Sequence, residues 1–227
     1  MKFLEYTPFI RINGFLNNVN LGDRRIAGLL EAYSCKLAGM DKKLSRSIEQ
    51  EVLESLELSP GGISTSPVGP LCSLASRRTL IYLILTLSHM YPDYDFSMLQ
   101  AHHFSKESGL SAVKQIMDYH LLEASKIWEM EFGADISLAD SIFNAIDEVA
   151  GLNDCDIYSF LPDQEVDPFA ERGSIWAFNY FFYNKKLKRV VLFSCRCFSK
   201  LAMDDSSIDD VTSDEDVDFL NGMDMED

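Results

Sequence analysis

The alternation of apolar and polar residues predicts strands in several parts of the chain. Residues 1–6 have the pattern of a short strand. Residues 24–38 fit either a strand or a helix, and we predict a strand for their later half, residues 29–37. Residues 156–161 add another strand, so the pattern supplies three strands before the last third of the chain is considered.

The strongest strand signal is an aromatic segment followed by a β-branched one. Residues 174–183 are dense in aromatic side chains and contain neither proline nor an interior glycine. Asn184 and Lys185 form the predicted turn, and residues 189–195 continue as an apolar, β-branched run. Because the first run is apolar on both faces, we predict a hairpin with a central strand covered on both sides.

Apolar residues spaced about 3.6 apart predict the helices. Leu44, Ile48 and Val52 recur at this spacing with glutamates between them, as in a helix that faces solvent on one side. Ser137 has the position of an N-cap, and Gly151 of a helix stop. The predicted segments are residues 8–16 (a helical turn), 44–58, 77–91, 111–131 and 138–149.

These elements predict an α/β sandwich with a central, mostly antiparallel sheet of about five strands covered by helices. Residues 59–76 are rich in serine, glycine and proline, as is typical of a flexible connector. Residues 93–97 fit an edge strand or an Asx-type turn. The predicted organisation is residues 1–39 as the first part of the α/β domain, 40–76 as a mobile, phosphorylatable connector, 77–203 as the rest of the domain, and 204–227 as a disordered acidic tail.

The charge of the chain is concentrated in that tail. Eleven of the 36 acidic residues lie in residues 204–227, and no basic residue follows Lys200, so the formal charge of −16 leaves only about −5 for the rest. A protein that binds nucleic acid directly normally has the opposite sign, because neutralisation of phosphates supplies most of the non-specific affinity. Direct DNA or RNA binding is therefore disfavoured.

The sequence offers little for catalysis. The five cysteines form no CxxC pair, the four histidines include no i, i+4 pair, and neither a glycine-rich phosphate loop nor a GxSxG motif occurs. Cys195 and Cys197 share a strand face and are either buried apolar residues or a thiol site. His120 is predicted on the core face of its helix. We expect no enzyme, no cofactor and no metal, and a soluble, non-secreted protein of a reducing compartment.

Phosphorylation motifs occur in the predicted connector and tail. Lys42 and Lys43 precede Ser45 as a basophilic kinase requires, and Ser59 and Ser66 are each followed by proline. A phosphate on Ser45 adds about two negative charges to a small cationic patch, so it would act as a charge switch. In the tail, four hydroxyl residues have an acidic residue three positions later, as acidophilic kinases require: Ser206, Ser207, Thr212 and Ser213.

Three separate segments together resemble one known family. They are residues 1–5, Gly22, Asp23, Ile26, Gly28 and residues 31–36 at the front, residues 92–97 in the middle, and Trp176 with residues 178–185, 187–189 and 193–196 near the end. The sequence resembles the Maf-one family, the eukaryotic repressors of RNA polymerase III transcription. The resemblance implies a regulator without catalysis.

The resemblance also implies partners and control. Family members bind RNA polymerase III at its clamp and initiation subunits, block its recruitment to promoters, and lower the synthesis of transfer RNA and 5S ribosomal RNA. Kinases of the TOR and cyclic-AMP pathways and their opposing phosphatases act on the connector, here at the candidates Ser45, Ser47, Ser59 and Ser66. Dephosphorylation favours the nucleus over the cytoplasm.

One cationic segment is our candidate for polymerase contact or nuclear import. It lies at the end of the predicted hairpin and consists of Lys185, Lys186, Lys188 and Arg189. The strong import cluster of fungal members is missing from the connector. The alternative function is an RNA- or DNA-binding module that uses the aromatic and basic residues of the same hairpin.

Overall fold

The computed structural model describes residues 1–58, 66–133, 137–162 and 173–201. Within them, seven strands form one antiparallel sheet in the order β1-β3-β7-β6-β5-β4, and β2 also pairs with β3. The strands are β1 (Lys2–Leu4), β2 (Val19–Asn20), β3 (Arg24–Ser34), β4 (Phe104–Lys106), β5 (Cys155–Phe160), β6 (Ser174–Asn184) and β7 (Arg189–Ser199).

Six α-helices occur in the described residues. They are α1 (Thr7–Leu16), α2 (Met40–Leu58), α3 (Leu74–Met90), α4 (Leu110–His120), α5 (Leu122–Phe132) and α6 (Leu138–Ala150). Two short 3₁₀ turns, Ala101–His103 and Leu152–Asp154, precede β4 and β5. The predicted α/β sandwich is thus confirmed.

The sheet has a hydrophobic core on each face. Helices α1, α4, α5 and α6 pack on one face, and α2 and α3 on the other. Along β7, Val191 and Phe193 enter the first core while Val190 and Leu192 enter the second. Strands β6 and β7 lie inside the sheet and are buried on both faces, so the predicted central hairpin is confirmed.

Helix α6 has the predicted ends. The Asp140 backbone N–H donates to the Ser137 hydroxyl at 3.0 Å, and Gly151 adopts the left-handed conformation at φ 66° just after the last turn. The segment 93–97 is an Asx turn and not a strand, because the Ser97 N–H donates to Asp95 Oδ1 at 2.9 Å.

The single helix predicted over residues 111–131 is wrong. The chain instead forms α4 and α5, which meet at Leu121, a fully buried residue with φ −98° and ψ 6°. The apolar stripe continues across this break through buried Met117 and Ala124, which is why the periodicity shows no interruption. His120, which the sequence places on the core face, is half-buried and packs on Trp176 with 4.6 Å between the ring centroids.

The strand count and some boundaries also differ from the prediction. Strands β2 and β4 contain two and three residues, too few to give a pattern. The strand predicted at 29–37 begins at Arg24 and ends at Ser34. Helix α2 begins at Met40 and packs on α3 through buried Ile48, so part of the predicted connector is a helix. The mobility of the connector, residues 40–76, stays a prediction. The predicted tail, residues 204–227, lies outside the described residues.

Candidate functional site

The turn of the β6–β7 hairpin is tied to the end of helix α6. The buried Asn184 side chain donates from Nδ2 to Ala150 O at 2.7 Å and accepts from the Leu187 N–H at 2.9 Å. Arg189 Nη1 donates to Val149 O at 2.7 Å. The bonds to Val149 O and Ala150 O satisfy carbonyls that the last turn of a helix leaves without an intrahelical partner. The hairpin end is therefore held rigidly against α6.

Two of the three lysines at this hairpin end are paired with carboxylates. Lys185 Nζ lies 2.7 Å from Asp156 Oδ2, and Lys186 Nζ lies 2.7 Å from Asp154 Oδ1. Lys106 also lies 2.7 Å from Asp156. Partial burial would raise the pKa of Asp156, but hydrogen bonds from both of its lysine partners outweigh burial and lower it.

Of the four cationic candidates, Lys188 differs from the others. Its side chain is exposed and has no hydrogen bond or ion pair in the part of the chain described, while its backbone has φ 52° and its carbonyl accepts from the Cys35 N–H at 2.9 Å. The structure thus brings Lys185, Lys186, Lys188 and Arg189 together at one end of the sheet. Lys188 is the one of the four whose side chain has neither a hydrogen bond nor an ion pair among the described residues, since Arg189 donates to the Val149 carbonyl.

The central aromatic residues of the hairpin are not available for stacking on bases. Phe181 and Phe182 are fully buried, and Tyr180 and Tyr183 are 4% and 6% exposed. A stacking platform for nucleic acid needs exposed ring faces. The nucleic-acid-binding alternative therefore loses these four rings and keeps only half-buried Trp176 near the start of β6.

Cys195 and Cys197 do share a strand face, and both thiols are buried in the core against α1 and its neighbours. Burial raises the pKa of each thiol. Because the thiolate is the nucleophile, these two residues are packing residues and do not form a reactive thiol site.

The phosphorylation candidates differ in access. Ser47 is exposed on α2, and Ser45 on the same helix is half-buried. Ser66 is half-buried, and its hydroxyl donates to Gly69 O within a turn. Ser66 also lines a groove of about 280 Å³ between α2 and residues 99–102. Ser59 lies outside the described residues.

A cluster of polar and aromatic groups at the start of α2 was not among the sequence predictions. Asp41 accepts a hydrogen bond from the Met1 amino group, and its Oδ1 lies 2.9 Å from His89 Nε2 at the end of α3. The Tyr33 ring packs on His89 with 5.6 Å between ring centroids. The cluster joins three elements that are far apart in sequence, so no local motif could reveal it.

In the described ranges, no cluster of histidine, cysteine, aspartate or glutamate side chains could hold a metal ion. None of the described helices is both long and apolar enough to cross a membrane.

The fold and these sites define the class of protein as an antiparallel α/β sandwich with ion pairs and hydroxyl residues on its surface and thiols in its core. The chain belongs to the Maf1 regulator family, whose model matches residues 26–194. This is a family of transcription regulators and not of enzymes. The family that the three segments indicated is therefore confirmed.

Two repressors and one crystal structure are matched over most of their length. The chain is 33% identical to "Repressor of RNA polymerase III transcription" of Dictyostelium discoideum, covering 91% of this chain and 89% of that protein. It is 35% identical to the Schizosaccharomyces pombe repressor maf1, covering 88% and 84%. A crystal structure of citrus MAF1 superposes with a TM-score of 0.71 at 50% identity, covering 85% of this chain and all of that one.

Proposed function

We propose that this protein represses transcription by RNA polymerase III, by binding the polymerase and preventing its recruitment to promoters of transfer RNA and 5S ribosomal RNA genes. One observation carries the proposal. Relatives that are matched over more than four fifths of their own length are named repressors of this polymerase.

The charge distribution supports a protein partner. The body of the chain is only mildly acidic and the tail strongly so, which favours contact with a basic protein surface over contact with phosphates. The acidic tail would compete for basic, promoter-facing protein surface. The buried aromatic rings of the hairpin support the same choice.

The hairpin end is the candidate contact surface. It is rigid, because Asn184 and Arg189 fix it to α6, and it presents Lys188 without a described ionic partner. The pairs made by Lys185 and Lys186 are on the surface, where such pairs contribute about 0–1 kcal/mol, so both lysines can exchange their carboxylates for those of a partner.

Phosphorylation would control the repressor. Ser45 and Ser47 lie on α2 beside Lys42, Lys43 and Arg46, where a phosphate would reverse the local charge. We expect TOR- and cyclic-AMP-dependent kinases to act on this region and phosphatases to reverse the modification. The protein would then move between cytoplasm and nucleus with its phosphorylation state, using the hairpin cations for import.

Transcription reconstituted from purified RNA polymerase III and its factors on a transfer RNA gene tests the proposal. Added protein should lower transcript yield when it is present before recruitment, while a polymerase II template stays unaffected. Co-purification with polymerase III subunits should increase after phosphatase treatment. Equal yields with and without the protein would contradict the proposal, and a mobility shift of naked DNA or RNA at moderate salt would favour the alternative.

A further inference from the structure

Strand β7, the last strand in the sequence, carries an aromatic ring that lies close to two guanidinium groups. Arg25 Cζ lies 5.8 Å from the centroid of the Phe198 ring, and Arg196 Cζ lies 5.2 Å from the same centroid. Phe198 pairs across the ladder with Arg25, and Arg196 with Ala27, so all four side chains are on one face of the sheet. Phe198 itself is buried, and both guanidinium groups lie within cation–π distance of its ring.

We call Arg25, Arg196 and Phe198 the arginine patch. The two residues that flank Arg196 on the neighbouring strands are Ala27 and Ala177. Ala177 is exposed and Ala27 is half-buried, so this end of the face is partly open to solvent around the buried Phe198 ring. Helix α3 covers the other end of the same face, over Leu192 and Phe181.

One donor of the Arg25 side chain has no hydrogen-bond acceptor among the described residues. Its Nε is buried, and no described residue accepts a hydrogen bond from it. A buried donor without an acceptor costs about 1–3 kcal/mol, and a guanidinium fork is matched best by a carboxylate. The two guanidinium groups of the patch therefore suit an acidic group, although the body of the protein carries a net negative charge.

We propose that the arginine patch is the docking site of the protein's own acidic tail, residues 204–227. The described chain leaves the sheet at the patch: Phe198 lies in β7, and the description ends three residues later at Leu201. An extended chain advances about 3.3 Å per residue. The few residues that separate Leu201 from Asp204 and Asp205 are therefore long enough for the chain to fold back onto the patch. The inference goes beyond the proposed function and does not depend on it.

Charge favours the tail over the other acidic segment nearby. The tail has eleven acidic residues and no basic one, whereas residues 163–172 have four acidic residues and one arginine. The tail also contains apolar side chains, among them Ile208 and Val211, that can pack on exposed Ala177. Docking would cover the patch and withhold the tail from other basic surfaces, so the contact is autoinhibitory toward partners of the tail.

Nuclear magnetic resonance of the full chain tests this docking directly. We expect the ¹⁵N–¹H nuclear Overhauser effects of residues 204–216 to be positive at about 0.02 M salt and to become negative, as in a free chain, at about 0.5 M salt. The salt titration of the wild-type protein is independent of any variant. In Arg25→Gln and in Arg25→Gln/Arg196→Gln, the tail should be free at both salt concentrations.

The matched control removes two positive charges elsewhere. Lys185→Gln/Lys186→Gln lies at the opposite end of the same hairpin and should leave the tail docked. Equal mobility of the tail in the wild type and the arginine variants would overturn the proposal, as would release by the lysine control. A response confined to residues 163–172 would assign the patch to that segment instead. A response that grows with protein concentration would assign it to the tail of a second copy.

Discussion

The side chain of Asn13 on α1 pairs with both backbone groups of Leu30 on β3. Asn13 Nδ2 donates to Leu30 O at 2.9 Å, and the Leu30 N–H donates to Asn13 Oδ1 at 2.8 Å. The amide therefore substitutes for a neighbouring strand at the place where β1 has ended and β2 has not begun, since β1 pairs with residues 32–34 and β2 with Ile26 and Arg25. Helix α1 is fixed to the sheet by the same two bonds.

Asn13→Ala should lower the free energy of unfolding by about 1–3 kcal/mol, because it leaves two partly buried backbone groups of Leu30 without partners. Urea denaturation measures the change. Asn18→Ala, at an exposed position, is the control and should change stability by about 0.5 kcal/mol or less. Equal stability of the two variants would contradict the role of the Asn13 amide.

Two glycines on the same helix–strand contact should respond with opposite signs to the same substitution. A Cβ on Gly28 would lie 3.2 Å from Leu16 Cβ and 3.3 Å from Cys195 Sγ, so Gly28→Ala should destabilise by about 1–3 kcal/mol. A Cβ on Gly14 in helix α1 meets nothing within 4 Å, so Gly14→Ala should stabilise by about 0.5–1 kcal/mol. Thermal unfolding of both variants decides the signs, and a stabilising Gly28→Ala would show that α1 is not packed this closely.

Glu31 should make stability depend on pH. Burial raises the pKa of Glu31, although the hydrogen bond from the Tyr33 hydroxyl opposes the shift. A raised folded-state pKa means that the stabilisation is present below the unfolded value of about 4.3 and is lost as the pH rises through the folded value. Glu31→Gln, which keeps an acceptor for Tyr33, should therefore be more stable than the wild type at pH 7.

The stability advantage of Glu31→Gln should disappear near pH 4, where the wild-type carboxyl is protonated as well. Glu57→Gln removes the same formal charge from an exposed position of α2 and serves as the control. Denaturation midpoints across pH 4–8 give the comparison. A pH-independent difference between Glu31→Gln and the wild type would contradict the assigned role of burial.

The thiols should react in a fixed order. Cys72 is exposed, whereas Cys35, Cys195 and Cys197 are buried. Cys155 is half-buried, and burial raises the pKa of its thiol to about 12. An aromatic disulfide reagent should modify one thiol rapidly in the native protein, and Cys72→Ser should abolish this phase. Rapid modification of Cys195 would instead support the alternative of a reactive thiol site at Cys195 and Cys197.

The sequence predicted the parts of the fold whose signals are local. The β6–β7 hairpin and the ends of α6 at Ser137 and Gly151 each follow from adjacent residues, whereas residues 93–97 fitted both an edge strand and the Asx turn that is observed. Strands β2 and β4 were missed because pairing partners, and not their own few residues, define them. The break between α4 and α5 leaves the apolar spacing intact, so tertiary packing alone reveals it.

The candidate sites divide in the same way. The cationic hairpin end could be read from residues 185–189, but its pairing with Asp154 and Asp156 depends on a neighbouring strand and turn. The arginine patch joins Arg25 to Phe198, which are far apart in sequence, and neither residue belongs to a recognisable motif. Long-range pairing of β3 with β7 creates it.

Ser45→Asp should weaken binding to RNA polymerase III if α2 carries the proposed charge switch. The substitution places a negative charge beside exposed Lys42 and Arg46, and a phosphate would add about two charges at the same point. Pull-down titrations with purified polymerase measure the change, which should shrink at high salt because the groups are close to solvent. Ser47→Asp adds the same charge two residues along the same helix, so comparison of the two variants separates an effect of position from an effect of net charge. Unchanged affinity of Ser45→Asp would contradict the switch.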